Sequence, residues 1–269
     1  MNPFKKIKTL YKPLQPTALA NSEIIYNEIK PGKIWEDFVY CFWELKTEKS
    51  LENSFNYRVV SDGCIDVFFE YHQPAESFVM GFCRKFVEFE IGKSFHYFGI
   101  RFLPSAFPLL FDINAETISN TSTELKTVLP QFSSWISRQI FSDSTFEQSS
   151  KKIENYLKKY INNFKSTVDE RFINALIVIF EKKGFLNTET GLNTGLSPRQ
   201  LRRIFNFYIG TTPKAFSNVV RFQYVLNKIS DFTEDSYSSV YYEVGFFDQA
   251  HFIKNFKTFY GVTPSEALG

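Results

Sequence analysis

The sequence predicts an α+β multidomain chain. An antiparallel β barrel or sandwich comes first, connecting helices follow, and an all-α domain of two like units on a linking helix closes it. Three observations carry this. Short β-branched and aromatic runs between turn residues fill the chain up to about residue 112. Beyond them the apolar spacing becomes three-to-four, as in helices. In the last third, two segments match at an offset of 51 residues.

The strand candidates are Arg58-Val59-Val60, Ile65 to Phe69, Phe86 to Ile91 and His96 to Phe102, bounded by Ser61-Asp62-Gly63, Gln73-Pro74, Gly92-Lys93 and Pro104. Such closely spaced short strands favour an antiparallel barrel or sandwich over a parallel sheet. Helices are predicted over Thr123–Pro130, Gln131–Phe141, Thr145–Phe164 and Thr167–Lys183, with Ile153, Tyr156, Leu157 and Tyr160 on one stripe. The resulting division is 1–122, 123–165 and 166–269. At 269 residues the chain is long enough for two buried cores.

The repeat pairs Ser197 with Asp248, Leu201 with Phe252, Arg203 with Lys254, Phe205 with Phe256, and Gly210-Thr-Thr-Pro213 with Gly261-Val-Thr-Pro264. Ser197 and Asp248 suit helix N-caps, Pro198 suits a first helical position, and Gly210 and Gly261 suit C-terminal stops. Short helix candidates precede each cap at Asn187–Gly191 and Ser239–Val244, followed by the turns Asn193-Thr194-Gly195 and Gly245-Phe246-Phe247. Helix, tight turn and capped second helix is the helix-turn-helix arrangement. A helix over Thr212–Lys228 would join the two copies.

The faces of the two capped helices suggest what they touch. Leu201, Phe205 and Tyr208 make an inward stripe, as do Phe252, Phe256 and Phe259. Arg199, Arg202, Arg203 and Asn206 share the opposite face of the first helix. Gln249, Ala250, Ile253, Lys254 and Lys257 occupy that of the second. Arg pairs bidentately with guanine and Gln with adenine, while Lys suits phosphate. The net charge of +2 conceals six basic and no acidic residues over 197–228, beside five acidic and no basic ones over 231–248. These nine outward residues are the candidate contacts to double-stranded promoter or operator DNA.

At these residues the chain resembles the AraC/XylS family of bacterial transcription regulators. The resemblance covers about residues 170–268 and lies in the segments Gly195 to Phe205, Val244 to Lys257 and Gly261 to Pro264. It implies two helix-turn-helix units whose second helices enter successive major grooves. Two departures stand out: Gly191 and Tyr241 occupy the positions where the family carries a small Ala. The N-terminal half resembles a domain of unknown role attached to some family members. That likeness rests on Phe38 to Trp43, Ser61 to Phe69 and Gly99 to Pro104, and implies ligand sensing or dimerisation.

Other chemistry is sparse. Cys41, Cys64 and Cys83 are widely spaced and read as reduced, buried thiols; with His72 and His96 they offer no metal-ligand spacing. Asp62 reads as a turn residue and Asp66 as an edge-strand carboxylate; Asp66 with Arg101 suits either a polar ligand or a buried ion pair. No phosphate loop, nucleophile elbow or zinc-binding His-Glu-x-x-His occurs, so no cofactor, metal or enzymatic activity is expected. No secretory signal or membrane span is legible, which places the chain in the cytoplasm. The expected partners are DNA, a small-molecule effector, a second copy of the chain and, for an activator, RNA polymerase. The alternative is a small-molecule-binding or enzymatic β domain with a helical interaction module.

Overall fold

The structure, a computed structural model, describes residues 3–16, 23–141, 143–162, 168–229 and 248–268. An antiparallel β-rich N-terminal domain precedes a helical C-terminal domain. β1 (Ile24–Ile29), β2 (Val39–Thr47), β4 (Ile65–Glu70), β5 (Ser77–Met80), β7 (His96–Phe102) and β8 (Ser122–Glu124) form one sheet in the order β1-β2-β7-β4-β5-β8. Each neighbouring pair is antiparallel. β3 (Asn56–Val59) and β6 (Val87–Glu90) make a separate antiparallel ribbon.

The two-residue period of the strands divides the sheet into unlike faces. Ile65, Val67 and Phe69 of β4, with Phe98, Ile100 and Phe102 of β7, point to the outer face. There they meet helices α1 (Pro3–Leu10), α2 (Ala106–Phe111), α5 (Phe146–Asn162) and α6 (Glu170–Glu181). Cys41, Trp43 and Leu45 of β2 point to the inner face and meet Tyr57 of the ribbon. A register shift between Val39 and Cys41 turns β2 between the two faces. The outer-face cluster continues without interruption into α7 (Pro198–Ile209), α8 (Pro213–Ile229) and α9 (Gln249–Tyr260). The two apolar clusters are thus divided by the faces of the sheet rather than along the chain.

Several expected elements differ in extent. The helix predicted over Thr123–Pro130 begins as β8, which pairs Phe78 with Glu124, and only then becomes α3 (Leu125–Val128); α4 (Pro130–Gln139) follows. Edge pairing overrides the helical spacing there. Asn187–Gly191 forms a single turn, with the Gly191 N–H bonded to Asn187 O at 2.7 Å, instead of a helix. Thr, Asn and Gly are weak helix formers, and the Asn187 side chain accepts from the Glu189 N–H. A Cβ on Gly191 would lie 2.7 Å from that same Asn187 oxygen, so Gly in place of Ala fits a turn in place of a helix. The candidate helix Ser239–Val244, its turn Gly245-Phe246-Phe247 and Tyr241 lie outside the described residues, as does most of the acidic stretch. The helices α1 and α2 and the strands β1, β2 and β5 correspond to no element expected from the sequence.

Candidate nucleic-acid interface and the cavity beside it

α7 and α9 are each 12 residues long and are started and stopped alike. Ser197 Oγ accepts from the Gln200 N–H, and Gln200 Oε1 accepts in return from the Ser197 N–H at 3.0 Å, a reciprocal capping box. Asp248 Oδ1 accepts from the His251 N–H at 2.7 Å. Such caps stabilise a helix by about 1 kcal/mol each. Gly210 and Gly261 end the helices at φ of +88° and +104°, conformations that L side chains rarely adopt.

The inward stripes are buried. Leu201, Phe205 and Ile209 carry α7, and the Phe205 ring meets Phe172 edge-on at 5.2 Å. Tyr208, expected inside, is half-buried and stacks on Phe172. Phe252, Phe256, Phe259 and Tyr260 carry α9. Arg199, Arg202 and Arg203 are exposed on α7, as are Gln249, Ala250, Lys254 and Lys257 on α9. Two of the nine candidate contacts are half-buried. Asn206 Nδ2 donates to Glu116 Oε1 at 2.8 Å, and Ile253 packs against the core. Of the basic residues counted on 197–228, Arg221 turns inward. Its Nη2 donates to Gly184 O and its guanidinium covers the Phe185 ring.

Both helices rest their C-terminal ends on the β domain. α7 does so through Asn206 and through Gly210, whose position is enclosed by Ser119 and Ala115 of the 3-10 turn Ala115–Ile118 and its end. α9 does so through Thr258 O and Phe259 O, which accept from the N–H groups of Phe86 and Ser61 at 3.4 Å. Arg58 of β3 lies against Gly261. The exposed N-terminal halves therefore carry Arg199, Arg202 and Arg203 on one helix and Gln249, Ala250 and Lys254 on the other.

Between the inner face of the sheet and the ribbon lies a cavity of about 250 Å³. Trp43, Phe68, Phe78 and Tyr97 line it from the sheet, and Tyr57 and Phe89 from the ribbon. Asp66 and Arg101 also line it, facing each other across the β4–β7 ladder. Arg101 Nη2 donates to Asp66 Oδ2 at 3.0 Å and Nε to Asp66 Oδ1 at 3.3 Å, while Trp43 Nε1 donates to Asp66 Oδ2 at 2.9 Å. This is a buried ion pair that also borders an open space. β4 lies between β7 and β5, so Asp66 occupies a central strand, not an edge; hydrogen bonds to Arg101 and Trp43 make a carboxylate tolerable there. Burial pushes the Asp66 carboxyl up to about 6 against the pull of Arg101. Gly99, between Tyr97 and Arg101, leaves room for the Trp43 indole, which a Cβ there would overlap.

A buried polar chain runs from the cavity to α8. Arg101 Nε stands 3.4 Å from Asp62 Oδ2, which accepts from Gln15 Nε2 at 2.9 Å. Gln15 also bonds Val60 through both its N–H and C=O groups. Gln223 of α8 donates to Ser61 O at 2.9 Å and accepts from the Leu14 N–H at 2.8 Å. Arg101, Asp62, Gln15, Ser61 and Gln223 are all buried. Sequence reasoning missed Gln15, Gln223 and Glu116. One signal was present: Gln223 continues the apolar row Phe216, Val219, Val220 at helical spacing, and a polar residue there needs partners. Cys41, Cys64 and Cys83 are buried free thiols.

Paired, similarly capped helices joined through α8 are the second helices that a double helix-turn-helix domain of DNA-binding transcription regulators requires; the helix expected before α7 is a turn, and the one expected before α9 lies outside the described residues. The family comparison agrees: residues 193–268 match "Helix-turn-helix domain", and the chain carries an AraC-type domain of this class at its C-terminus. Residues 27–124 match "Domain of unknown function (DUF6597)". No characterised protein matches the chain significantly by sequence. Among solved structures, unsaturated fatty acid-bound wild-type ToxT from Vibrio cholerae strain SCE256 is similar at 10% identity and a TM-score of 0.39, covering 91% of this chain and 95% of that one. ToxT from Vibrio cholerae O395 bound to (E)-4-(8-methylnaphthalen-1-yl)but-3-enoic acid is similar at 12% identity and a TM-score of 0.38, covering 91% and 98%.

Proposed function

We propose that the chain is a sequence-specific transcriptional regulator that reads successive major grooves of promoter DNA with α7 and α9, and that an effector in the inner-face cavity modulates it. The observation that carries the DNA reading is the matched pair of capped helices whose exposed N-terminal halves are basic on α7 and mixed Gln and Lys on α9. Arg199, Arg202, Arg203 and Gln249 supply hydrogen bonds to base edges, Ala250 and Ile253 apolar contact to thymine methyls, and Lys254 and Lys257 phosphate contacts. Asn206 joins them once its bond to Glu116 opens.

The modulation is supported by where the cavity walls lead. The ribbon strand β3 lines the cavity with Tyr57 and Val59 and holds α9 through Arg58 and, just beyond its end, Ser61. β5 and β8 line it with Met80 and Ser122 and flank the 3-10 turn that holds α7; Gly81 packs directly on Ile118. An occupant that spreads sheet and ribbon therefore acts on the seats of both reading helices. The reading includes the division 1–122, 123–165 and 166–269, a cytoplasmic location, a homodimer, a bacterial source and, for an activator, contact with RNA polymerase. Among the described residues no helix is long and apolar enough to cross a membrane.

The test is binding of labelled DNA from upstream of the chain's own gene and of its neighbours, across a salt series. Specific binding with a steep negative salt slope, loosened by Arg203→Ala, is the expected result. Absence of specific binding, with stabilisation by a metabolite, favours a small-molecule-binding or enzymatic β domain with a helical interaction module instead, a reading that the cavity supports equally.

A further inference from the structure

We propose that the inner-face cavity takes an uncharged molecule built on one or two aromatic rings. The inference deepens the reading of the cavity as an effector site and rests on it. Size comes first. A dry apolar cavity of about 150 Å³ holds one benzene ring, and this one measures about 250 Å³.

The walls select rings. Trp43, Phe68, Phe78 and Tyr97 cover the sheet side, with Phe68 stacked on Phe78 at 5.7 Å and Trp43 tilted against Phe68 at 6.3 Å. Tyr57 and Phe89 face them from the ribbon. A planar ring entering between two aromatic layers meets π faces and edges on both sides, in addition to the apolar area it buries.

The charges exclude ions. Arg101 is the cationic residue among those lining the cavity, and its charge is already met by Asp66 at 3.0 Å and Asp62 at 3.4 Å. Asp66 and Glu90 line the same space, so an anion would enter against two carboxylates and displace an existing pair. A cation fares no better. Both Asp66 oxygens already accept hydrogen bonds from Arg101 or Trp43, and Glu90 is exposed to solvent. A cation would lose its water beside a fixed guanidinium, and Glu90, the second carboxylate lining the space, keeps its charge in solvent. Arg101 Nη1, buried and without a hydrogen-bond partner, stands 3.8 Å from Glu28 Oε1, so a third carboxylate answers the guanidinium and a neutral molecule disturbs none of these pairs.

Thermal unfolding of the full chain with 2-acetylnaphthalene, 2-naphthoate and 2-naphthylmethylammonium separates the three charge classes on one ring skeleton. At about a hundredfold excess over its Kd, the ketone is expected to raise the melting temperature by about 5–10 °C. Either ion is expected to need at least about tenfold higher concentration for the same rise. A larger response to the carboxylate or the ammonium overturns the proposal, and so does no response to the ketone up to its solubility limit. Ser122→Phe, which adds a ring at the rim from an exposed position of β8, is expected to abolish the ketone's effect while unfolding stays cooperative. Val59→Phe, on the ribbon side, serves where the first variant does not fold. A shift that survives a folded variant shows binding elsewhere and overturns the assignment. DNA binding by the ligand-free chain is measured alongside; its failure removes the regulator reading and leaves the cavity chemistry standing.

Discussion

α7 and α9 share a length, a capping scheme and a glycine stop, yet the β domain holds them differently. α7 is clasped by a side-chain hydrogen bond, Asn206 to Glu116, and by a glycine fitted against Ser119 and the Ala115 carbonyl. α9 is met by two long backbone hydrogen bonds of 3.4 Å and by the side chain of Arg58, itself paired with Glu88. Their outer faces differ in the same sense, with three exposed arginines on α7 against Gln249, Ala250 and two lysines on α9. A duplicated unit has become one tightly seated helix rich in hydrogen-bond donors and one loosely seated helix suited to phosphate and apolar contact.

The largest test of this asymmetry is in the core. Phe205→Ala and Phe256→Ala each remove a buried ring and are expected to cost about 3–5 kcal/mol in urea unfolding. Phe205 sits between Phe172 of α6 and Phe216 of α8, whereas Phe256 meets Phe222 of the same α8 and, beyond it, only Phe252 and Tyr260 of its own helix among its ring contacts in the described residues. The Phe205 variant is therefore expected to lose more and to unfold in one transition. A greater loss for Phe256→Ala would break the comparison.

Next come the stops. Gly210→Ala and Gly261→Ala both place a Cβ at positive φ, costing about 1–2 kcal/mol. At Gly210 that Cβ also lies 2.0 Å from Ser119 Oγ and 2.9 Å from the Ala115 carbonyl oxygen, which is backbone and cannot yield easily. At Gly261 the three nearest atoms all belong to the Arg58 side chain, from 2.9 Å, which is paired with Glu88 but is not backbone and yields more readily than a carbonyl. Gly210→Ala is expected to cost roughly 1 kcal/mol more than Gly261→Ala by urea unfolding. Equal costs would mean that the two seats are equally tight.

DNA binding separates the outer faces. Arg203→Ala is expected to weaken operator binding by about 1–3 kcal/mol and to relax discrimination at one base pair. Lys254→Ala is expected to weaken binding about equally on all sequences and to flatten the salt dependence by about one unit. Titrations on operator and scrambled duplexes at several salt concentrations read both. The reverse pattern would assign base reading to α9.

Much of this was legible because it is local. The caps Ser197 and Asp248, the glycine stops, the 51-residue repeat and the strand His96–Phe102 each depend on a few adjacent residues, and the structure places them as read. What failed depends on distant partners. β8 needs β5 beside it, and the seat of Asn206 needs Glu116, 90 residues away. Asp66 and Arg101 were legible as a pair, but the cavity they border needs a ribbon whose position no local pattern records. Asn187–Gly191 misled because its place before a capped helix suggested the first helix of a helix-turn-helix unit, while its own residues prefer a turn.

The smallest effect is the most direct probe of the clasp. Glu116 holds Asn206 in a face that otherwise carries three arginines, so its carboxylate both occupies a reading residue and places a negative charge where phosphates would approach. Glu116→Gln keeps the size and an acceptor but removes the charge. The charge is exposed and screened, so its removal is worth only about 0.3–1 kcal/mol, a two- to fivefold tightening of DNA binding at low salt that fades as salt rises. Weaker binding would show the opposite, that the carboxylate positions α7 for DNA instead of holding it back. The seat on the 3-10 turn would then belong to the reading conformation itself.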